Sequence, residues 1–136
     1  MPHPDGLPDL FIDRSLGRLV IPRLLRADGL RLTTLAERYG IPADESISDV
    51  TWLADIGARQ EVAFMKDDRI RYRTAEKAEV IETRVRAFCL ARRDLDGAGM
   101  AHLFLRNMPA IAAACQAHPI GIWVVTKAGL RHTNIA

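Results

Sequence analysis

The sequence predicts an α/β fold, a three-layer α/β/α sandwich around a mainly parallel central sheet of about five strands. Three observations support this fold class. Short apolar runs of strand length alternate along the chain with segments of helical periodicity, which is the pattern of parallel βα units. Two of the apolar runs are followed by aspartates, and the length of 136 residues fits one domain.

The apolar runs of strand length, taken in order, make up the predicted sheet. The first run stops abruptly at Asp13, as a buried strand does where the chain leaves the sheet. The second run partly alternates between apolar and polar residues, and the third is followed by Asp67 and Asp68. The predicted strands are residues 10–12, 30–35, 62–65, 85–90 and 120–125.

Helical periodicity and capping residues place the helices between these strands. Pro22 lies near the start of the first helix, where proline is tolerated, and Ser48 is a typical N-cap for the second. Thr74 can cap the third helix, and Pro109 is expected to bend or split the fourth. The predicted helices are residues 21–27, 49–58, 74–83 and 98–117.

The composition indicates a globular protein with one core. Hydrophobic residues make up 49% of the chain and charged residues 26%. Residues 1–8 contain three prolines and a glycine, so we expect a flexible N-terminal arm. Residues 9–136 are then the single folded domain.

Several classes of protein are excluded or disfavoured by the composition. No apolar run approaches the roughly 18 residues that span a bilayer, so we expect no membrane association, and the start lacks the pattern of a signal peptide. Only Cys89 and Cys115 are cysteines, which fits a reduced, cytoplasmic location. The net charge of +2 does not by itself indicate a nucleic-acid partner. Arginine dominates the basic residues and binds phosphate well, but codon bias in a GC-rich genome is the favoured explanation of its abundance.

Three aspartates are candidates for one metal site. Asp13 and Asp67 follow the first and third strands, and Asp49 opens the helix between them. If those strands are neighbours, the three carboxylates converge at the carboxyl edge of the sheet, where ligands bind in open parallel sheets. Clustered carboxylates repel one another unless a cation joins them, and oxygen ligands suit Mg²⁺ or Mn²⁺. Such an ion can activate water for attack on a phosphodiester.

Each acid also has a structural alternative. Asp13 could cap the turn after its strand, and Asp49 could stabilise the helix dipole. Glu45 could supply the second acid instead of Asp49, from the preceding loop. Asp68 is either a further metal ligand or a solvated neighbour of Asp67. Other candidates for a fourth acid are Asp94 and Asp96.

Arginines beside these acids are candidates for RNA contacts. Arg69, Arg71 and Arg73 alternate, so in an extended segment they share one face and could hold an RNA backbone. The alternative is a solvated loop whose arginines pair with nearby glutamates. Arg14 could contact a phosphate, or it could pair with an acid of the cluster when no metal is bound.

The ordered motifs resemble those of compact PIN-like domains, and most closely the VapC-type toxins of bacterial toxin–antitoxin operons. The motifs are Phe11-Ile12-Asp13-Arg14-Ser15-Leu16-Gly17, Ser48-Asp49 before Trp52-Leu53, and Lys66-Asp67-Asp68-Arg69-Ile70-Arg71. They lie in the family's order and spacing over about residues 9–126.

The resemblance implies a Mg²⁺- or Mn²⁺-dependent endoribonuclease, a hydrolase of phosphodiester bonds. On this resemblance Asp13, Asp49 and Asp67 bind the metal and are catalytic, while Arg14, Arg69 and Arg71 contact the substrate. The implied partners are RNA and a cognate antitoxin on a separate chain, as in type II toxin–antitoxin pairs. Dimers are usual in the family resembled, so a homodimer is also considered.

Two other functions remain open from the sequence. Related sequences often carry a second acid where this chain has Arg14, which favours a catalytically weak or inactive module that binds RNA or protein. The third reading is a structural partner domain whose acids only cap turns.

Overall fold

A computed structural model of the chain describes residues 3–66, 74–90 and 95–133. The strands are β1 Leu10–Ile12, β2 Leu32–Thr34, β3 Val62–Met65, β4 Arg86–Leu90, β5 Gly121–Thr126 and β6 Gly129–Thr133. The helices are α1 Val20–Ala27, α2 Leu35–Tyr39, α3 Asp49–Arg59, α4 Thr74–Thr83, α5 Gly97–Arg106 and α6 Met108–Ala117. None of the helices in these ranges is long and apolar enough to cross a membrane.

The strands form one sheet in the order β2-β1-β3-β4-β5-β6. All neighbours from β2 to β5 are parallel, and β6 is antiparallel to β5. The pairing of β1 with β3 aligns Ile12 with Phe64, so both strands end at the same edge. This is the neighbour relation that the predicted acidic site requires.

The sheet is buried on both faces, because alternate residues of each strand point to opposite sides. On one face, Ile12 and Phe64 pack in a cluster with residues of α1, α5 and α6. On the other face, Phe11 and Ala63 pack with Leu35 and with residues of α3 and α4. The predicted three-layer α/β/α sandwich is therefore confirmed.

The sheet has one strand more than the sequence predicts. Residues 129–133, which we expected to be a polar tail, form β6 on the outer side of β5. The connecting turn is held by Thr126, whose hydroxyl accepts a bond from the backbone N–H of Ala128 at 3.2 Å. Because β6 is an edge strand with exposed residues, it has no apolar run to mark it.

The predicted long helix is split, and the break lies at Asn107. This residue is buried, and its side-chain amide donates to the carbonyl of Leu103 at 2.9 Å and to that of Thr126 at 3.1 Å. Pro109 sits in the first turn of α6, where its missing N–H is not needed. The amide of Asn107 thus joins the α5–α6 corner to the end of β5.

Residues 3–8 pack against the rest of the fold. Leu7 is buried in the core, and the His3 ring accepts a bond at Nδ1 from the backbone N–H of Arg31 at 3.0 Å. Nε2 of His3 lies 2.9 Å from the carbonyl oxygen of Leu7. These contacts attach residues 3–8 to the segment before β2, which the proline content alone does not suggest.

Aromatic rings stack across the β5–β6 end of the sheet. Trp123 stacks on Phe88 with ring centroids 4.8 Å apart, and His132 of β6 stacks on Trp123 at 4.7 Å. The ring of His118 lies 4.7 Å from that of His132. Partial burial, and secondly the proximity of His118, lower the pKa of His132. Its neutral form is therefore favoured in the folded chain.

We expect Asn107→Ala to lower the free energy of unfolding by about 1–3 kcal/mol, because two carbonyls lose a donor in a buried site. Gln116→Ala is the matched control, since Gln116 is exposed and its amide lies 3.5 Å from its acceptor. The control should change the free energy by no more than about 0.5 kcal/mol. Urea unfolding of the three proteins measures both values, and equal midpoints would contradict the assigned role of Asn107.

We expect the contribution of His132 to stability to fall as the pH drops below about 6.5, because its pKa is lowered in the folded chain. A group with a lowered pKa binds its proton less tightly when folded, so protonation favours unfolding. His132→Phe keeps a ring on Trp123 but cannot titrate, and it should show a shallower loss of midpoint temperature from pH 8 to pH 5.

His102→Phe is the control for this pH dependence, because His102 is exposed on α5. It should retain the pH dependence of the wild type. If the His132→Phe and wild-type profiles are parallel, His132 does not contribute.

Candidate active site

Asp13 lies directly beyond β1 and is buried, with 4% of its surface exposed. Its backbone N–H donates to the carbonyl of Phe64 at 3.1 Å, which continues the pairing of β1 with β3. Oδ2 of its carboxylate accepts from the N–H and the hydroxyl of Ser15, at 3.3 and 2.7 Å. Oδ1 is also buried, and the part of the chain that the structure describes provides no hydrogen-bond donor for it.

Ser15 connects the ends of the two strands. Its hydroxyl donates to Asp13 and accepts from the backbone N–H of Lys66 at 3.0 Å. Lys66 is the residue that follows β3. One hydroxyl therefore orients the carboxylate after β1 and also fixes the backbone after β3.

Burial is the largest influence on the Asp13 carboxyl, and it raises the pKa. The hydrogen bonds from Ser15 and from the local backbone oppose this, and the negative charge of Asp49 raises the pKa further. The net effect is a pKa above the ordinary value of 3.8. The neighbours of Asp13 within the described residues thus compensate its negative charge poorly. A bound cation would compensate this charge.

Asp49 is the first residue of α3, and both the cap of this helix and a bond from Trp52 help to position it. Ser48 is the N-cap, and its hydroxyl accepts from the backbone N–H of Thr51 at 3.2 Å. The indole Nε1 of Trp52 donates to Oδ1 of Asp49 at 2.9 Å. Trp52 is itself fully buried and stacks on Phe11 of β1, with ring centroids 5.3 Å apart. The second acid is therefore attached to the same core that positions β1.

Asp13 and Asp49 line one cleft of about 350 Å³ at the carboxyl edge of the sheet. We call it the acidic cleft. Its lining residues are Asp13, Arg14, Ser15, Ile47, Ser48, Asp49 and Met65. The convergence expected for these two acids is thus present in the structure.

Most of the other predicted site residues lie either outside the described residues or away from the acidic cleft. Asp67, Asp68, Arg69 and Arg71 lie outside the described residues, as does Asp94. Glu45 is exposed, lies 3.5 Å from the guanidinium of Arg18, and lines a second cleft of about 570 Å³. The carboxylate of Asp96 accepts from the backbone N–H of Gly99 at 2.8 Å and caps α5.

The guanidinium of Arg14 binds the backbone of the loop before α3. Its Nη1 donates to the carbonyl of Glu45 at 2.8 Å, and its Nη2 donates to the carbonyl of Ile47. Neither contact is one of the two roles considered from the sequence, a phosphate contact or a pair with an acid of the cluster. The side chain remains exposed and lines both clefts.

Sequence reasoning missed an ion pair in the second cleft, between the buried Asp44 and the partly exposed Arg18. Asp44 is 3% exposed, and Arg18 donates to both of its carboxylate oxygens, at 2.9 and 2.8 Å. Arg18 holds the pKa of Asp44 below its ordinary value. No local sequence signal marks this pair, because the two residues meet only when the loops after β1 and before α3 come together.

The roles of Ser15 and Trp52 were also missed, although local signals exist for both. A serine two residues after an aspartate is typical of a turn in which the carboxylate accepts from the backbone and the hydroxyl. Trp52 follows Asp49 by three residues, and such residues are neighbours on a helix surface. Spacing alone could have suggested both partners.

The donor set of the acidic cleft fits a hard divalent cation. Asp13 offers a buried oxygen with no donor among the described residues, and Asp49 adds a second carboxylate. Oxygen ligands of this kind suit Mg²⁺ and Mn²⁺. Within residues 3–66, 74–90 and 95–133, no group of three or more candidate ligands converges. A third acid would have to come from elsewhere, and Asp67 is the predicted one.

Comparison with known families identifies the fold family of the chain. Residues 8–92 match the family described as a PIN like domain. The chain belongs to this PIN-like family. The match contains β1 to β4 and both acids of the acidic cleft.

A curated relative agrees with the PIN-like assignment. The chain is 38% identical over 110 residues to a Mycobacterium tuberculosis protein named "Putative ribonuclease VapC45", which covers 81% of this chain and 80% of the relative. No solved structure matches the chain significantly. The resemblance to VapC-type PIN-like domains that the motifs predict is therefore confirmed.

We expect Asp13→Asn to raise the midpoint temperature of unfolding at neutral pH, because it removes a buried charge next to Asp49. A group with a raised pKa destabilises the fold progressively as the pH rises from 3.8 through the folded-state value. Below 3.8 the carboxyl is protonated in both states, so the advantage of the variant should disappear.

Asp28→Asn is the control for this stability measurement, because Asp28 is an exposed aspartate at the end of α1. Thermal unfolding of both variants in metal-free buffer at several pH values measures the effect. A destabilised Asp13→Asn at neutral pH would mean that its hydrogen bonds outweigh the burial of its charge.

Proposed function

We propose that this protein is a metal-dependent endoribonuclease that hydrolyses RNA phosphodiesters. The observation that carries the proposal is the buried Asp13 carboxylate, with an oxygen that lacks a donor among the described residues, in one cleft with Asp49. The name of the 38% identical relative supports the ribonuclease activity. Metal dependence follows from the chemistry of the carboxylates.

In this proposal Asp13, Asp49 and Asp67 hold Mg²⁺ or Mn²⁺. When bound, such an ion would supply activation of water and stabilisation of negative charge on the phosphodiester. Ser15 keeps Asp13 oriented through its hydroxyl, and Trp52 orients Asp49 through its indole N–H. Burial of Asp13 excludes bulk water from one side of the site, so its charge is little screened.

The substrate requires positive charge near the acidic cleft. We assign RNA backbone contacts to Arg69 and Arg71, which follow the predicted third acid in the sequence. Guanidinium groups bind phosphate oxygens through charge-assisted hydrogen bonds, so these contacts would weaken as the salt concentration rises.

The biological role we propose is that of the toxin in a type II toxin–antitoxin pair. The support is the resemblance to VapC-type toxins together with the PIN-like family assignment. The partner would be a cognate antitoxin on a separate chain, and a homodimer of the toxin is part of the same proposal. In this role the chain would act in the cytoplasm, where its RNA substrate lies.

The proposal predicts metal-dependent cleavage of a mixed RNA pool. Asp13→Asn and Asp49→Asn should each lower the cleavage rate by at least about 100-fold, since removing even an outer partner of a metal ligand costs about 10- to 100-fold. Asp67→Asn should have the same effect. The rates are measured in Mn²⁺, in Mg²⁺ and in excess chelator.

Asp28→Asn should cleave at the wild-type rate, which excludes a general effect of losing one carboxylate. Wild-type protein that binds the RNA pool but never cleaves it in Mg²⁺ or Mn²⁺ would refute the nuclease. A binding module would then be the correct reading. Cleavage that persists in the chelator would refute the role of the metal.

A further inference from the structure

Arg14 connects the two segments that carry the acids of the acidic cleft. It follows Asp13 directly and lies in the 3₁₀ turn after β1, residues Arg14–Leu16. Its guanidinium donates to the carbonyls of Glu45 and Ile47, which belong to the loop before α3. One planar group thus binds two backbone acceptors that are two residues apart in the chain.

The loop that Arg14 holds leads directly to the second acid. Only Ser48, the N-cap of α3, separates Ile47 from Asp49. A bond that fixes the carbonyl of Ile47 therefore also restricts where α3 begins. Arg14 therefore links the turn that follows Asp13 to the segment that leads into Asp49.

A second arginine from the same segment holds the same loop. Arg18 donates to both carboxylate oxygens of Asp44, which is buried. Arg14 and Arg18 therefore contact the loop at two points, one through backbone carbonyls and one through a side chain. Arg14 makes the contact closer in sequence to Asp49.

We propose that Arg14 is a positioning residue, whose guanidinium holds the loop before α3 so that Asp49 faces Asp13 across the acidic cleft. This inference rests on the proposed function only in taking the two acids as metal ligands. This role requires two N–H donors on one planar group. The guanidinium of arginine has this geometry, whereas the ammonium of lysine is a compact point charge. An RNA phosphate would compete with the two carbonyls for the guanidinium.

The indole of Trp52 provides a direct readout that needs neither metal nor RNA. Its N–H donates to Oδ1 of Asp49 at 2.9 Å, so its resonance reports where that carboxylate lies. The chain has 2 tryptophans, so a ¹H–¹⁵N spectrum shows two indole signals, and Trp123→Phe identifies the signal of Trp52. Asp49→Ala gives the reference position for a lost bond.

In metal-free, ¹⁵N-labelled full-length protein, Arg14→Gln should move the Trp52 indole signal toward its position in Asp49→Ala. The Trp123 signal should stay in place. Calorimetric titration with Mn²⁺ should show an affinity lower by about tenfold or more. Arg14→Lys should move the Trp52 signal in the same direction, and it replaces Arg14→Gln if that variant does not fold.

Arg31→Gln is the matched control, because Arg31 is an exposed arginine that pairs with Asp9 at 2.8 Å and does not line the acidic cleft. It should change neither the Trp52 signal nor the Mn²⁺ affinity. An unmoved Trp52 signal in folded Arg14→Gln overturns the positioning role. If that variant also keeps its Mn²⁺ affinity but binds RNA more weakly, Arg14 is a phosphate contact and the proposed nuclease function still stands.

Failure of the proposed nuclease function would give a different experimental result from failure of the positioning role. Wild-type protein that binds no Mn²⁺ and cleaves no RNA would refute the nuclease, whereas the metal-free Trp52 signal would still show whether Arg14 positions Asp49. The two results are therefore independent.

Discussion

The parallel pairing of β1 with β3 brings Asp13, Ser15 and Lys66 to one edge of the sheet. Ile12 lies opposite Phe64 in the register, and the next residue, Asp13, extends the ladder by one more bond to the Phe64 carbonyl. Because both strands run in the same direction, both leave the sheet at one edge. The hydroxyl of Ser15 then connects the residue after β1 to the residue after β3. A different strand order would leave the same residues on the chain without bringing them together.

This arrangement places a carboxylate where its charge is costly. Asp13 is buried and has Asp49 nearby, and both conditions raise its pKa. Ser15 compensates only one of the two carboxylate oxygens. Folded proteins rarely keep such a group without a functional reason, because burial of an uncompensated charge is unfavourable. The stability given up at Asp13 is offset by the aromatic and aliphatic packing around β1 and α3.

Much of the fold could be predicted from the sequence, because its signals are local. The apolar runs of β1, β3 and β4 and the Ser48 cap of α3 mark their elements within a few residues. β6 could not be predicted in this way, because an exposed edge strand lacks an apolar run. The split of the long helix beside Pro109 was expected, but the role of Asn107 at the break was not, because its buried amide bonds to the end of β5.

The sequence predicted that Asp13 and Asp49 would lie together, but not which hydrogen bonds hold them. Asp13 and Asp49 follow from the rule that ligands bind at the carboxyl edge of a parallel sheet. The contacts of Arg14 with two carbonyls and of Arg18 with Asp44 depend on how two loops meet, which no spacing encodes. Glu45 shows the same limit, since its place in the loop allowed an inward orientation that the fold does not adopt.

The two edges of the sheet have a consequence for how other chains can associate with this one. β2 has only 3 residues and passes directly into α2, and β6 carries the exposed Arg131 and His132. Short or charged edge strands are poor templates for the addition of an extended segment from another molecule. The sheet is thereby protected against edge-to-edge aggregation, which favours docking of a partner on the helical layers or the loops over the addition of a strand.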